Sequence, residues 1–199
     1  MLLCMKRKGE NFFAKNYKLC WKFLNESRWH IVFVLGFFML TFLIGFVFPI
    51  FFVDEIFSFV SELIASLEGM GAVELIAYIF WNNLKASLFA IILGITLGIF
   101  PLVILVVNGY LLGFVSRFAV NERGLLVMWQ LLPHGIFELP AIIISIGLGI
   151  KIGADMFKGD VKKGLKHNFR EGLRFFVFVV LPLLFVAAII EGLLIWLVG

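Results

Sequence analysis

The chain has 199 residues, of which 62% are apolar and only 15% charged, and its mean hydropathy is +1.08. A soluble domain of this length could not bury so much apolar surface, because the buried fraction rises only slowly with size. The composition therefore excludes a water-soluble globular fold and predicts a single all-α, polytopic membrane domain. The net charge of +4 matters less than its distribution. Seven of the 17 Lys and Arg lie in the first 28 residues and seven more between Lys151 and Arg174. None falls between Ile50 and Leu84, where Asp54, Glu55, Glu62, Glu68 and Glu74 are all acidic. Cys4 and Cys20 both sit in the basic head, where a reducing compartment keeps them as free thiols.

In chain order, residues 1–28 form a basic N-terminal segment, and residues 29–199 form the membrane domain. Phe13, Tyr17, Cys20, Trp21 and Leu24 recur at helical spacing with Lys15, Lys18 and Lys22 opposite, predicting an amphipathic helix for an anionic cytoplasmic leaflet. Residues 29–53 are the first predicted span, read as a retained anchor and not as a cleaved signal. Residues 54–68 carry Ile56, Phe59, Val60, Leu63, Ile64 and Leu67 on one helical face, which predicts a surface helix. Asn82-Asn83 is read as the N-cap of a second span over 84–107, with Pro101 as a kink. Ala90, Gly94 and Gly98 form a small-residue stripe for close helix approach, and Gly109/Gly113 and Gly149/Gly153 are two further pairs of the same kind.

Asn108-Gly109 reads as a turn, leaving 109–120 as a short third crossing and 125–150 as the fourth. Treating 109–132 as a re-entrant hairpin would instead place the basic residues from Lys151 onward outside, against the positive-inside rule. Residues 154–174, with Phe157, Val161, Leu165 and Phe169 four apart, predict a second basic interfacial helix. The last span is 175–198, broken early by Pro182 and carrying Glu191. The expected topology is a cytoplasmic N-terminus, five transmembrane helices and an outside C-terminus.

The chemistry concentrates in Leu131-Leu132-Pro133-His134-Gly135-Ile136-Phe137-Glu138-Leu139-Pro140-Ala141. Ionisable groups in a span face protein or water and mark a site. His134 and Glu138 are one helical turn apart, between two prolines that each remove a backbone donor. Three readings stand side by side. One is a mutually satisfied structural pair, with Asn82, Asn83, Asn108 or Glu191 as further partners. The second is a small transporter or channel-like permease using the pair, since broken helices at mid-depth build transport sites. The third is an intramembrane metal-dependent hydrolase. That reading lacks an evident third ligand, because His30 and His167 sit elsewhere, and no phosphate loop or His-Glu-x-x-His pattern exists. No metal, cofactor or nucleic-acid partner is expected. The expected partners are membrane lipids, other membrane or envelope proteins, and a second copy of the chain.

Asn82-Asn83, Asn108-Gly109, the run from Leu132 to Ala141, Gly147-Leu148-Gly149, Leu181-Pro182-Leu183-Leu184 and Ile190-Glu191 occur in an order that resembles the stage II sporulation protein M family. Gly192 follows Glu191 where that family commonly has alanine. The resemblance implies a five-span membrane protein with Pro133, Gly135, Pro140 and Gly109 as structural positions. In sporulating bacteria the namesake belongs to an engulfment complex with peptidoglycan-degrading partners, which implies a non-catalytic membrane scaffold.

Overall fold

The computed structural model describes residues 11–131, 134–157 and 161–198. These form seven α-helices joined by 3-10 and π turns, with no strand among them. Five of the helical stretches are long and apolar enough to cross a bilayer: Phe12–Val47, Ala72–Ile95, Ile99–Arg123, Gly135–Ala154 and Lys163–Leu197.

Helix α1 (Phe12–Val47) is one unbroken rod that joins the basic head to the first span. The sequence between Phe12 and Leu35 holds neither Pro nor Gly, so nothing stops the helix at the membrane surface. At 36 residues it is about 54 Å long, well beyond a hydrocarbon core of roughly 30 Å. It ends before Pro49, which disfavours helical geometry in the residue preceding it. Helix α2 (Val53–Leu67) follows a left-handed Phe52 and buries no residue fully. Phe57 ties it to α4, stacking edge-on against Phe114 and Phe118, and Ile64 and Leu67 face a cavity shared with Leu75, Ile195 and Trp196.

The middle of the chain differs from the sequence expectation. Helix α3 (Ala72–Ile92) starts ten residues before the Asn pair, where the Glu74 carboxylate accepts from the Gly71 N–H and caps the first turn. With that end already capped, Asn82-Asn83 falls in the helix interior. The chain reverses at a 3-10 turn, Leu93–Ile95, followed by left-handed Leu97 and Gly98. Pro101 is therefore no kink. It lies in the first turn of α4 (Ile99–Arg123), where its missing N–H costs no hydrogen bond. Helix α4 also runs straight through Asn108-Gly109. The Asn108 side chain donates to the Ile104 carbonyl at 2.7 Å, and Gly109 sits against Thr41 and Phe38 of α1. The two expected spans, 84–107 and 109–120, are thus replaced by two full-length ones, Ala72–Ile95 and Ile99–Arg123. The expected span 125–150 is also shorter, because Leu125–Leu131 is a 3-10 segment after left-handed Gly124.

Helix α5 (Leu139–Ala154) is the axis of the bundle, with 61% of its span window buried against 22–33% for the other four. Small residues make this possible. A Cβ on Gly149 would collide with the Ala90 carbonyl, one on Gly94 with Gly149, one on Gly153 with Gly98, and one on Gly147 with Ile31. In a membrane, where lipid is as apolar as leucine, such backbone approach is what drives helices together. The same contacts give directions. Helices α3 and α5 run parallel, α1 and α4 run parallel through Gly45, Gly109 and Gly113, and α1 runs antiparallel to α5. Helix α7 (Leu181–Val198) runs antiparallel to α3, with Gly192 against Ile76 and Phe185 against Phe80.

Helix α6 (Val161–Phe175) and the π turn after it pack against the basic start of α1. Phe23 meets His167, and Phe12, Phe13 and Tyr17 surround Phe178. Both basic segments therefore share one end of the bundle. Leu165 and Phe169 are half-buried on the apolar side of α6, while the side chains of Phe157 and Val161 lie outside the described residues.

Candidate functional site

The central motif folds as a π turn, His134–Glu138, leading into α5. Its cause is Pro140 at the second position of α5. Proline offers no N–H to the carbonyl four residues back and its ring crowds that oxygen, so the backbone widens by one residue. The chain repeats this device: the π turn Phe176–Val180 precedes Pro182 at the second position of α7. Leu132, Pro133 and the side chain of His134 lie outside the described residues.

Glu138 is buried, with 3% of its surface exposed, and it stands where the π turn meets α5. The turn packs against α5 and α7, and α7 packs against α3. Glu191 on α7 is half-exposed as a residue, but its Oε2 is buried, as is that of Glu138. Asn83 is buried on the inward face of α3. The segments holding Glu138, Glu191 and Asn83 are thus neighbours. Asn82 does not join them, because consecutive residues on a helix diverge by about 100° and only one of the pair can face inward; Asn82 is exposed. Asn108 is spent on its own helix. Arg117 lies over the Phe46 ring at 5.7 Å, near the end of α1. Gly135 and Pro140 are half-buried and Gly109 is buried in the α1–α4 contact.

At the basic end the structure builds a polar clasp that the sequence did not reveal. Lys151, counted as one of a surface cluster, is only 7% exposed. Its Nζ lies 4.3 Å from the Phe23 ring centre and 3.8 Å from Glu26 Oε2, joining α5 to α1. Asn168 donates to Asp155, and Arg174 pairs with Glu171. The only signal for Lys151 in the sequence was its position directly after an unbroken apolar run. Cys20 is a buried free thiol packed in the apolar core with Phe23, Ile152 and Phe175. Cys4 lies outside the described residues. Among the described residues, no three His, Cys, Asp or Glu side chains cluster at metal-binding spacing.

Five apolar crossings around a glycine-packed central helix, two π turns at Leu-Pro steps and a buried carboxylate define a multi-pass helical membrane protein with a polar, helix-broken centre. The profile of the family described as Stage II sporulation protein M matches residues 34–194, and the chain belongs to that family. Two relatives come from Methanocaldococcus jannaschii. The uncharacterized protein MJ0706 is 34% identical over 119 residues, covering 56% of this chain and 52% of its own. The uncharacterized protein MJ0793 is 38% identical over 73 residues, covering 36% of this chain and 41% of its own. The chain thus spans about half the length, or less, of these relatives. No solved structure matches it.

Proposed function

We propose that this protein is a non-catalytic membrane component that holds partner membrane or envelope proteins together, with its N-terminus in the cytoplasm and its C-terminus outside. The observation that carries the reading is the packing of α5. Its glycines meet the backbones of α1 and α3 directly, so the bundle axis is filled with main chain. A permease needs spans that adopt two arrangements around a solute site, and close-packed interfaces resist such rearrangement. A filled, glycine-locked axis suits a rigid platform. Glu138 then serves the fold, fixing how the π turn seats between α5 and α7.

The test has two arms. Purified protein in vesicles loaded with a pH-sensitive dye is expected to dissipate an imposed proton gradient no faster than empty vesicles. Isolated gently from its own membranes, it is expected to bring one or more membrane proteins at fixed stoichiometry. Glu138→Gln is expected to lower thermal stability by about 1–3 kcal/mol, as for other buried hydrogen-bonding groups. Proton flux that Glu138→Gln abolishes while the fold survives would replace the platform with a transporter.

A further inference from the structure

Lys85 lies near the middle of the Ala72–Ile95 span, yet it is exposed on the surface of the bundle. Ionisable side chains within a span nearly always face the protein interior or a watery cavity. Lysines near span ends escape by extending to the headgroups, but Lys85 is placed badly for that. Side chains on a helix lean toward its N-terminus, which carries Lys85 toward Ala72 and away from the nearer end at Ile95. Asn82 is exposed one turn further in the same direction. Among the described residues, neither Asn82 nor Lys85 has a hydrogen-bonding or ionic partner.

Tyr78, Asn82, Lys85 and Phe89 are all exposed and follow one another at four, three and four residues. That is the spacing of a seam that receives a second helix. We propose that this face of α3 docks a membrane-spanning helix of a partner protein, and that the partner helix carries an Asp or Glu at the depth of Lys85. The inference rests on the assembly role proposed above and names the surface and the chemistry of the partner.

A second copy of this chain fits poorly. A twofold axis along the membrane normal would set Lys85 against Lys85. The exposed carboxylates available to answer it sit elsewhere among the described residues: on α2 and at Glu68 just after it, at Glu74 in the first turn of α3, at Glu122 in the last turn of α4, and at Glu26 in the basic head of α1, where it already faces Lys22 and Lys151. Glu138, at a comparable depth, is buried. Charge complementarity therefore calls for a carboxylate from a different protein.

The test uses the full chain in its own membranes, with a photo-crosslinking phenylalanine analogue at Phe89, and at the equally exposed Val103 of α4 as a control. The expected result is an adduct from position 89, absent from 103, with a membrane protein whose crosslinked span contains an Asp or Glu. Lys85→Glu is expected to cut the adduct about tenfold, since like charges at matched depth repel, and Lys85→Arg to keep it. Changing the partner's acidic residue to Lys is expected to restore the adduct with Lys85→Glu. Lys85→Met, an apolar replacement that lipid accepts, should lose the adduct too, and serves if Lys85→Glu fails to insert. An adduct with a second copy, adducts with lipid only, a partner span without a carboxylate, or indifference to both lysine variants would each overturn the proposal. If a partner still co-purifies in any of those cases, the assembly role stands and only the seam falls. If none co-purifies, both fall.

Discussion

The contrast among glycines is the sharpest lesson at the residue scale. Gly36 on α1 is exposed, and a Cβ there would meet nothing within 4 Å. Gly36→Ala removes conformational freedom from the unfolded chain and is expected to be neutral or stabilising by up to about 1 kcal/mol. At Gly149 the first side-chain atom already strikes the Ala90 carbonyl and approaches Pro101 at 2.9 Å. Gly149→Leu is expected to cost about 3 kcal/mol or more, because two backbones must separate along their whole contact. Thermal unfolding in detergent would read both. Gly192 is similarly confined, because a Cβ there would stand 2.9 Å from the Ile76 backbone nitrogen. Lys151 teaches a subtler point. Its partner Glu26 is 41% exposed and is hydrated by itself, so their pair is worth little. Much of what Lys151 supplies is the packing of its stem and cation on Phe23. Lys151→Met is therefore expected to change stability by less than about 1 kcal/mol, and Lys151→Ala to lose about 2 kcal/mol through the cavity it leaves. Equal losses in the two variants would show that the charge dominates.

Among the elements, the two π turns recur with the same grammar, a widened turn ending just before Leu-Pro. A π turn is a one-residue excess within an α-helix, stabilised here by a proline that cannot close the ordinary hydrogen bond. Deleting exposed Val177 alone is expected to abolish folding, since Pro182 would then clash with the carbonyl four residues back. Deleting Val177 together with Pro182→Ala should yield folded protein, because the excess and its cause are removed at once. Fluorescence-detected size-exclusion chromatography of the two variants distinguishes them. If both fold equally well, proline is not what holds the turn open. Gly192 against Ile76 fixes the rotation of α7 on α3, so the register beyond the turn is the property under test.

For the whole molecule, α1, α4 and α7 run one way and α3 and α5 the other, and the two basic segments meet at one end through Phe23 and His167. The positive-inside rule is what supports the proposed orientation, with that end in the cytoplasm. A phosphatase active only outside the cell is expected to work when fused after residue 198 and to fail when fused before residue 11. The reverse pattern would invert the proposed orientation.

The number of crossings, the membrane class and the gathering of basic residues were legible in the sequence. The reason is that insertion energies add residue by residue along a local window, whatever the neighbours do. The proline-bracketed motif around Glu138 was legible for a similar reason, since a missing N–H disturbs a helix in any surroundings. The glycine stripes also pointed correctly to close approach, because only small residues permit it. The bounds of the middle spans were not legible. In a run apolar on every face, periodicity cannot say which residues face inward, and Asn82-Asn83 or Asn108-Gly109 serves equally as a cap, a turn or a helix interior. For the asparagine pair the decision is local, since Glu74 caps α3 three residues from Gly71 and so moves the helix start ahead of Asn82; for Asn108-Gly109 it is Thr41 receiving Gly109, a contact that exists only once the helices are assembled. Tertiary structure alone also made α5 the axis, drew Lys151 inside and left Lys85 outside. Each depends on which face of a helix its neighbours cover, and a local pattern does not carry that information.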